Sequence, residues 1–340
     1  MSSAGEPWKP SIPGGPDDIA ESEADRLHRK GQLPRTLTAG VGAAAARHKV
    51  FDPALKHFDE AYRPTDEVVS DPAVRVRWQA ARRTALAVTL RAVASSGWAG
   101  SLVLRGSMLM SGWYPGVARD PHDLDFVVVP QDWRIEEPRT RLMLDAVASA
   151  AERAAAEHGG LVMPASEAVS EYIWTYERVP GHRLVLPWSA PGLPGGHVQL
   201  DFVFHEELPV APEISEVAGT GLRGATRELS LAWKLLWLAT DMYPQGKDLY
   251  DAVLLAEDCV VPYPLLETVF RQSGEWQTGG VLDPLTLGTF EGLDLSEWPE
   301  FAREYPEIGD GPGAYVRRLV AALAPTFAGA GRSFGGAGRS

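Results

Sequence analysis

The feature that most constrains this chain is a pair of acids set inside an apolar run. Asp123-Leu124-Asp125 follows a Pro- and Gly-containing loop and leads into Phe126-Val127-Val128-Val129. So short and apolar a run reads as a strand. Its period-two alternation puts both aspartates on one face and Leu124 on the other. Two carboxylates that close repel each other unless positive charge lies between them. Hard oxygen donors of this kind suit a divalent ion such as Mg2+. Upstream, Leu102–Leu104 reads as a short strand, and Gly106-Ser107 as a tight turn opening a helix, with N–H groups and a hydroxyl suited to phosphates. A phosphate-binding turn followed by a two-aspartate strand points to phosphoryl transfer.

Composition narrows the partners. With 340 residues the chain has room for one large or two ordinary domains. A formal net charge of -13 argues against wholesale wrapping of nucleic acid, though it leaves room for a local basic patch. The single Cys259 excludes an intramolecular disulfide and a cysteine-rich zinc site. No charged-then-apolar leader opens the sequence and no apolar run reaches membrane length, so a cytoplasmic location with no membrane partner is expected.

Taken in order, residues 1–75 read as a flexible or loosely docked extension, Pro/Gly/Ser-rich at first, with a short helix around Asp18–Lys30. Residues 76–215 form the expected catalytic core. Its first helix carries Arg75, Arg77, Arg82, Arg83 and Arg91, either as a solvated face or as a patch for a phosphate backbone. A second helix ends at Gly159-Gly160, and several short strands follow. The last of these, HVQLDFVF, alternates Val198, Leu200, Phe202 and Phe204 with Gln199, Asp201 and Val203. Asp201 therefore points away from the large apolar side chains. On a strand beside that of Asp123, it is the third carboxylate that metal-dependent phosphoryl transfer uses.

Residues 216–328 read as a helical C-terminal domain, and 329–340 as a disordered tail. Lys234 stands among Leu231, Trp233, Leu235, Leu236 and Leu238, so it needs an anionic partner. Asp248 and Asp251, three residues apart on the next helix, share a face. A Lys234–Asp248 or Lys234–Glu228 bridge would tie helices together. A triphosphate held by Lys234 and steadied by Asp248 is the functional counterpart, and the two are compatible.

The ordered set Gly106-Ser107, R-D-P-H-D-L-D-F (Arg119–Phe126), Q-L-D-F-V (Gln199–Val203), E-L-S-L-A-W-K-L (Glu228–Leu235) and K-D-L-Y-D (Lys247–Asp251) resembles the AbiEii/AbiGii-type nucleotidyltransferase toxins, a family that includes the MenT toxins. The resemblance covers roughly residues 80–260. Pro121 stands where the family pattern has serine, and Lys247 where it has arginine. The resemblance implies an α+β, DNA polymerase-β-like nucleotidyltransferase fold with a small mixed sheet and a helical C-terminal half. It also implies that Gly106 and Ser107 hold the β- and γ-phosphates of an NTP and that Asp123 and Asp125 bind Mg2+. Asp201 would be the third acid, catalytic and metal-binding, Lys234 the triphosphate ligand, and Asp248 the residue that orients it.

Family members transfer a nucleotide to an acceptor, in some cases the tRNA 3′ end, and many are toxins paired with an antitoxin. The expected function is therefore Mg-dependent transfer of NMP from NTP to an acceptor such as tRNA, within a toxin–antitoxin or phage-defence system. Two alternatives stand beside it: a small-molecule nucleotidyltransferase, which the acidic net charge favours, and a non-catalytic NTP-binding module.

Overall fold

The computed structural model describes residues 34–38, 49–55, 57–58, 61–64, 69, 71–175, 179–241, 244–278 and 281–330. The helix expected around Asp18–Lys30 lies outside the described residues, as does the expected tail 329–340 except for residues 329–330, which end the last helix.

In chain order the main elements begin with β1 (Lys49–Phe51), β2 (Tyr62–Pro64), α1 (Pro72–Ser95), β3 (Leu102–Arg105) and α2 (Ser107–Trp113). Then come β4 (Asp123–Val128), α3 (Pro138–His158), β5 (Val169–Thr175), β6 (Val179–Trp188) and β7 (Gly196–Val203). A hairpin of β8 (Glu213–Val217) and β9 (Thr220–Gly224) precedes α4 (Arg227–Thr240), α5 (Gly246–Asp258), α6 (Tyr263–Ser273), α7 (Trp298–Glu304) and α8 (Pro312–Ala330). Content is α+β with mixed strand pairing, as expected. The β8–β9 hairpin is an element that the sequence reading had left unassigned.

These elements fall into two compact units, Met1–Leu102 with His122–Glu206, and Val103–Pro121 with Glu207–Ser340. In the first, β5, β6, β7 and β4 lie side by side in that order. The β5–β6 and β6–β7 pairs are antiparallel, and β7–β4 is parallel. One face of these strands is apolar: Leu124, Phe126, Val198, Leu200 and Phe202 are fully buried. The Phe126 and Phe202 rings stack with centroids 5.6 Å apart. Each such side chain contributes about 1.5–3 kcal/mol on burial.

Helix α1 packs on β4 and β7, and its Trp78 meets Trp188 of β6. Its start is locally determined. Asp71 accepts hydrogen bonds from the N–H groups of Ala73 and Val74, and Pro72, which lacks an N–H of its own, fills the first turn. Of its arginines, Arg82 is buried and lies over Trp78, whereas Arg77, Arg83 and Arg91 are exposed.

The opposite face of these strands carries the polar positions, and part of the N-terminal segment docks there. Leu55 and Ala61 pack on Ile173 of β5. Thr36, in the short helix Arg35–Thr38, donates its hydroxyl and its backbone N–H to Glu171 of β5.

In the second unit, β9 pairs with β8 antiparallel and with β3 parallel. Helices α4 to α8 then pack on one another, α4 on α5 and α6, and α5 on α7 and α8. Thr226 caps α4 by accepting the Leu229 N–H at 3.2 Å. Nearly every residue from Leu229 to Leu238 is buried, so α4 is an interior helix and Lys234 goes inside with it. Among the described residues, no helix is long and apolar enough to cross a membrane.

Candidate functional site

The first unit gathers the acidic residues. The parallel β4–β7 pair sets Asp123 opposite Gln199 and Asp125 opposite Asp201. Antiparallel pairing extends the row, placing Arg183 of β6 opposite Asp201 and Glu171 of β5 opposite Arg183. Because side chains alternate along each strand, all these residues share the polar face. Across the strands the row reads Glu171, Arg183, Asp201, Asp125.

Arg183 is the residue that the sequence reading missed. It is 3% exposed, and its Nε and one terminal nitrogen each donate to an Asp201 oxygen at 2.8 Å. The remaining terminal nitrogen donates to Asp52 Oδ2 at 2.7 Å. Burial opposes the guanidinium charge, but Asp201 and Asp52 outweigh it and hold Arg183 firmly protonated. Gln199 also donates to Asp201 Oδ2, at 3.2 Å. A carboxylate has about four acceptor positions. Arg183 and Gln199 occupy three of those on Asp201, leaving one, on Oδ1. Glu171 titrates upward because burial outweighs its bonds to Thr36 and the pull of Arg183.

Among the described residues no three His, Cys, Asp or Glu side chains are grouped to hold a metal ion. Within the row, Asp201 accepts from Arg183. Asp123 and Asp125 still supply two carboxylates on one face, a donor set that suits Mg2+, which commonly takes one or two protein carboxylates and completes its shell with phosphates and water.

The second unit holds the turn and the buried lysine. Gly106 sits at φ 77°, ψ −153°, a conformation essentially reserved for glycine, and its carbonyl accepts the Met110 N–H as α2 begins. Ser107 follows it and is 2% exposed.

Lys234 donates to Asp248 Oδ1 at 2.7 Å, so the expected bridge between α4 and α5 is present, with Asp248 and not Glu228 as partner. A second carboxylate, Asp251 Oδ2, lies 3.0 Å from the same ammonium. Asp251 also takes both prongs of Arg119, at 3.1 and 3.0 Å. Arg119 opens the R-D-P-H-D-L-D-F stretch and Asp251 closes K-D-L-Y-D, so two motif residues without an assigned role turn out to be ion partners. Burial opposes ionisation of Asp251, yet Arg119 and Lys234 outweigh it and pull its carboxyl below the ordinary range. Burial likewise opposes the Lys234 charge, and Asp248 and Asp251 more than restore it. Arg105 is buried against Trp233 and Trp237, its guanidinium carbon 5.5 and 5.8 Å from their ring centres.

An α+β fold with mixed strand pairing, an Asp-x-Asp strand and a helical C-terminal half is the architecture of a nucleotidyltransferase. The family model described as nucleotidyl transferase AbiEii toxin, type IV toxin–antitoxin system, matches residues 88–312, and the chain belongs to that family. A comparison with curated proteins finds no match.

Proposed function

We propose that the chain is a Mg-dependent nucleotidyltransferase that moves an NMP from an NTP to an acceptor hydroxyl, with RNA such as the tRNA 3′ end as acceptor, and that it acts as a toxin with a cognate antitoxin. The observation that carries this reading is the register on the polar face, where Asp125 stands opposite Asp201 with Asp123 two residues away on the same side.

In this reading Asp123 and Asp125 hold Mg2+, which neutralises phosphate charge and lowers the barrier to attack at the α-phosphorus. Asp201 offers its one remaining acceptor position to the metal or to the proton of the attacking hydroxyl. As the oxygen–phosphorus bond forms, the bond to pyrophosphate breaks and the hydroxyl proton leaves to a carboxylate or water. Gly106 and Ser107 take the β- and γ-phosphates. Lys234, held by two carboxylates and lying 5.0 Å from the Trp237 ring centre, would turn its third ammonium hydrogen to a phosphate oxygen. Asp248 orients that ammonium.

The test is to incubate the protein with Mg2+, each α-labelled NTP in turn and total tRNA, with Asp123→Ala and Asp125→Ala alongside. Label should move onto RNA with the wild type and with neither variant, while both variants keep the wild-type circular dichroism. Turnover in either variant would refute the metal assignment. NTP binding without labelled RNA would redirect the acceptor to a small molecule.

A further inference from the structure

The family match begins at residue 88, yet one ligand of the acidic row comes from well before it. Asp52 lies in the turn after β1 and is itself firmly placed. Its backbone N–H donates to the Ala61 carbonyl at 2.9 Å, and its Oδ1 accepts the Ala54 N–H at 3.0 Å. Leu55, in the same turn, is fully buried against Ile173. With Oδ1 committed to the turn, Oδ2 reaches Arg183, whose other two donors clamp Asp201 in plane. A guanidinium that grips a carboxylate through two bonds and is itself held by a third restricts the rotation of that carboxylate. The one acceptor position left on Asp201 is therefore aimed by a chain of contacts that starts in the N-terminal segment.

We propose that Arg183 is a positioning residue of the acidic face and that Asp52 sets it, so that the turn that holds Asp52 is a working part of the site. The inference rests on the nucleotidyl-transfer reading for its consequence in turnover, and on electrostatics alone for its consequence in metal binding. Arg183 places positive charge beside the row that takes the ion, and Asp52 offsets part of it. Removing the cation should tighten metal binding, and removing its outer counter-ion should weaken it. A residue that merely glues the fold would move both in the same direction.

The experiment uses the full chain as wild type, Arg183→Gln, Arg183→Lys and Asp52→Asn. Mn2+ affinity is read without nucleotide from the electron paramagnetic resonance signal of the free ion, and kcat and KM for NTP from labelled transfer. In Arg183→Gln, Mn2+ should bind at least about threefold tighter, and in Asp52→Asn measurably weaker. Arg183→Lys keeps the charge but loses the fork. In it and in Asp52→Asn, kcat should fall about tenfold or more, with KM for NTP within about twofold. Unchanged kcat in both, together with unchanged Mn2+ affinity in Arg183→Gln and Asp52→Asn, would overturn the proposal. If the wild type transfers nothing, the transfer reading falls and the Mn2+ arm decides alone: opposite shifts uphold the electrostatic coupling of Asp52 and Arg183 to the acidic face, and equal affinities end it. Should Arg183→Gln fail to fold, Arg183→Lys and Asp52→Asn decide: a fall in kcat in both with KM for NTP held upholds the role, and unchanged kcat in both overturns it.

Discussion

Replacing Asp251 by asparagine should be among the most costly single changes in the second unit. Asp251 is completely buried; its two oxygens accept both prongs of Arg119, and Oδ2 lies 3.0 Å from the Lys234 ammonium. Asparagine has nearly the same shape, so packing is conserved and the effect is electrostatic. One oxygen becomes an NH2 that faces donors, so Lys234 is left with Asp248 and Arg119 with the Tyr305 hydroxyl. Breaking a buried ion pair by removing one partner costs about 3–5 kcal/mol, a large share of the roughly 5–15 kcal/mol that typically separates folded from unfolded chains. Asp248→Asn is the internal control. There Lys234 keeps Asp251 and Arg119 is untouched, so the cost should be about 1–3 kcal/mol.

Urea unfolding followed by tryptophan fluorescence would rank the two. Asp251→Asn costing less than about 1 kcal/mol, or less than Asp248→Asn, would refute the reasoning. The sign with pH is also determined. The folded carboxyl of Asp251 lies below its ordinary value, so its contribution is present above the unfolded pKa of about 3.9 and is lost as the pH falls through the folded one. The gap between wild type and Asp251→Asn should therefore close on acidification. A gap that widened would reverse the assignment.

Two further outcomes follow from the same unit. Lys234→Ala leaves Asp248 beside an Asp251 that has only Arg119, so it should lose about 3–5 kcal/mol in urea unfolding and also weaken NTP binding. Full stability with weakened NTP binding would make Lys234 a ligand alone, and unchanged NTP affinity would make it a structural cation. The Cys259 thiol is pushed up to about 12 by burial and, after it, by Glu228 and Asp258. At pH 8.5 its reaction with a thiol reagent should be at least about tenfold slower in the folded chain than in urea, and equal rates would contradict that environment.

Much of the acidic face was legible in the sequence because it depends on local period. Asp123 and Asp125 alternate with Leu124 and Phe126, and Asp201 alternates with Leu200 and Phe202, so each strand keeps its acids off its apolar face, and the parallel β4–β7 register then brings them side by side. The ion partners were not legible. Arg183 meets an aspartate 131 residues earlier, and Arg119 one 132 residues later, and no local pattern spans such distances. Each still left a trace. Arg183 opens the run RLVLPW, apolar from Leu184 onward, and Lys234 stands in LAWKLLWL. An ion flanked in this way goes into the interior with its element, and burial obliges it to find opposite charge. The sequence of such an element therefore announces that a partner exists and what sign it has. Which carboxylate answers depends on strand register and helix packing. That is why the Lys234–Asp248 bridge, between consecutive helices, could be foreseen, while the Asp52–Arg183–Asp201 arrangement had to be seen.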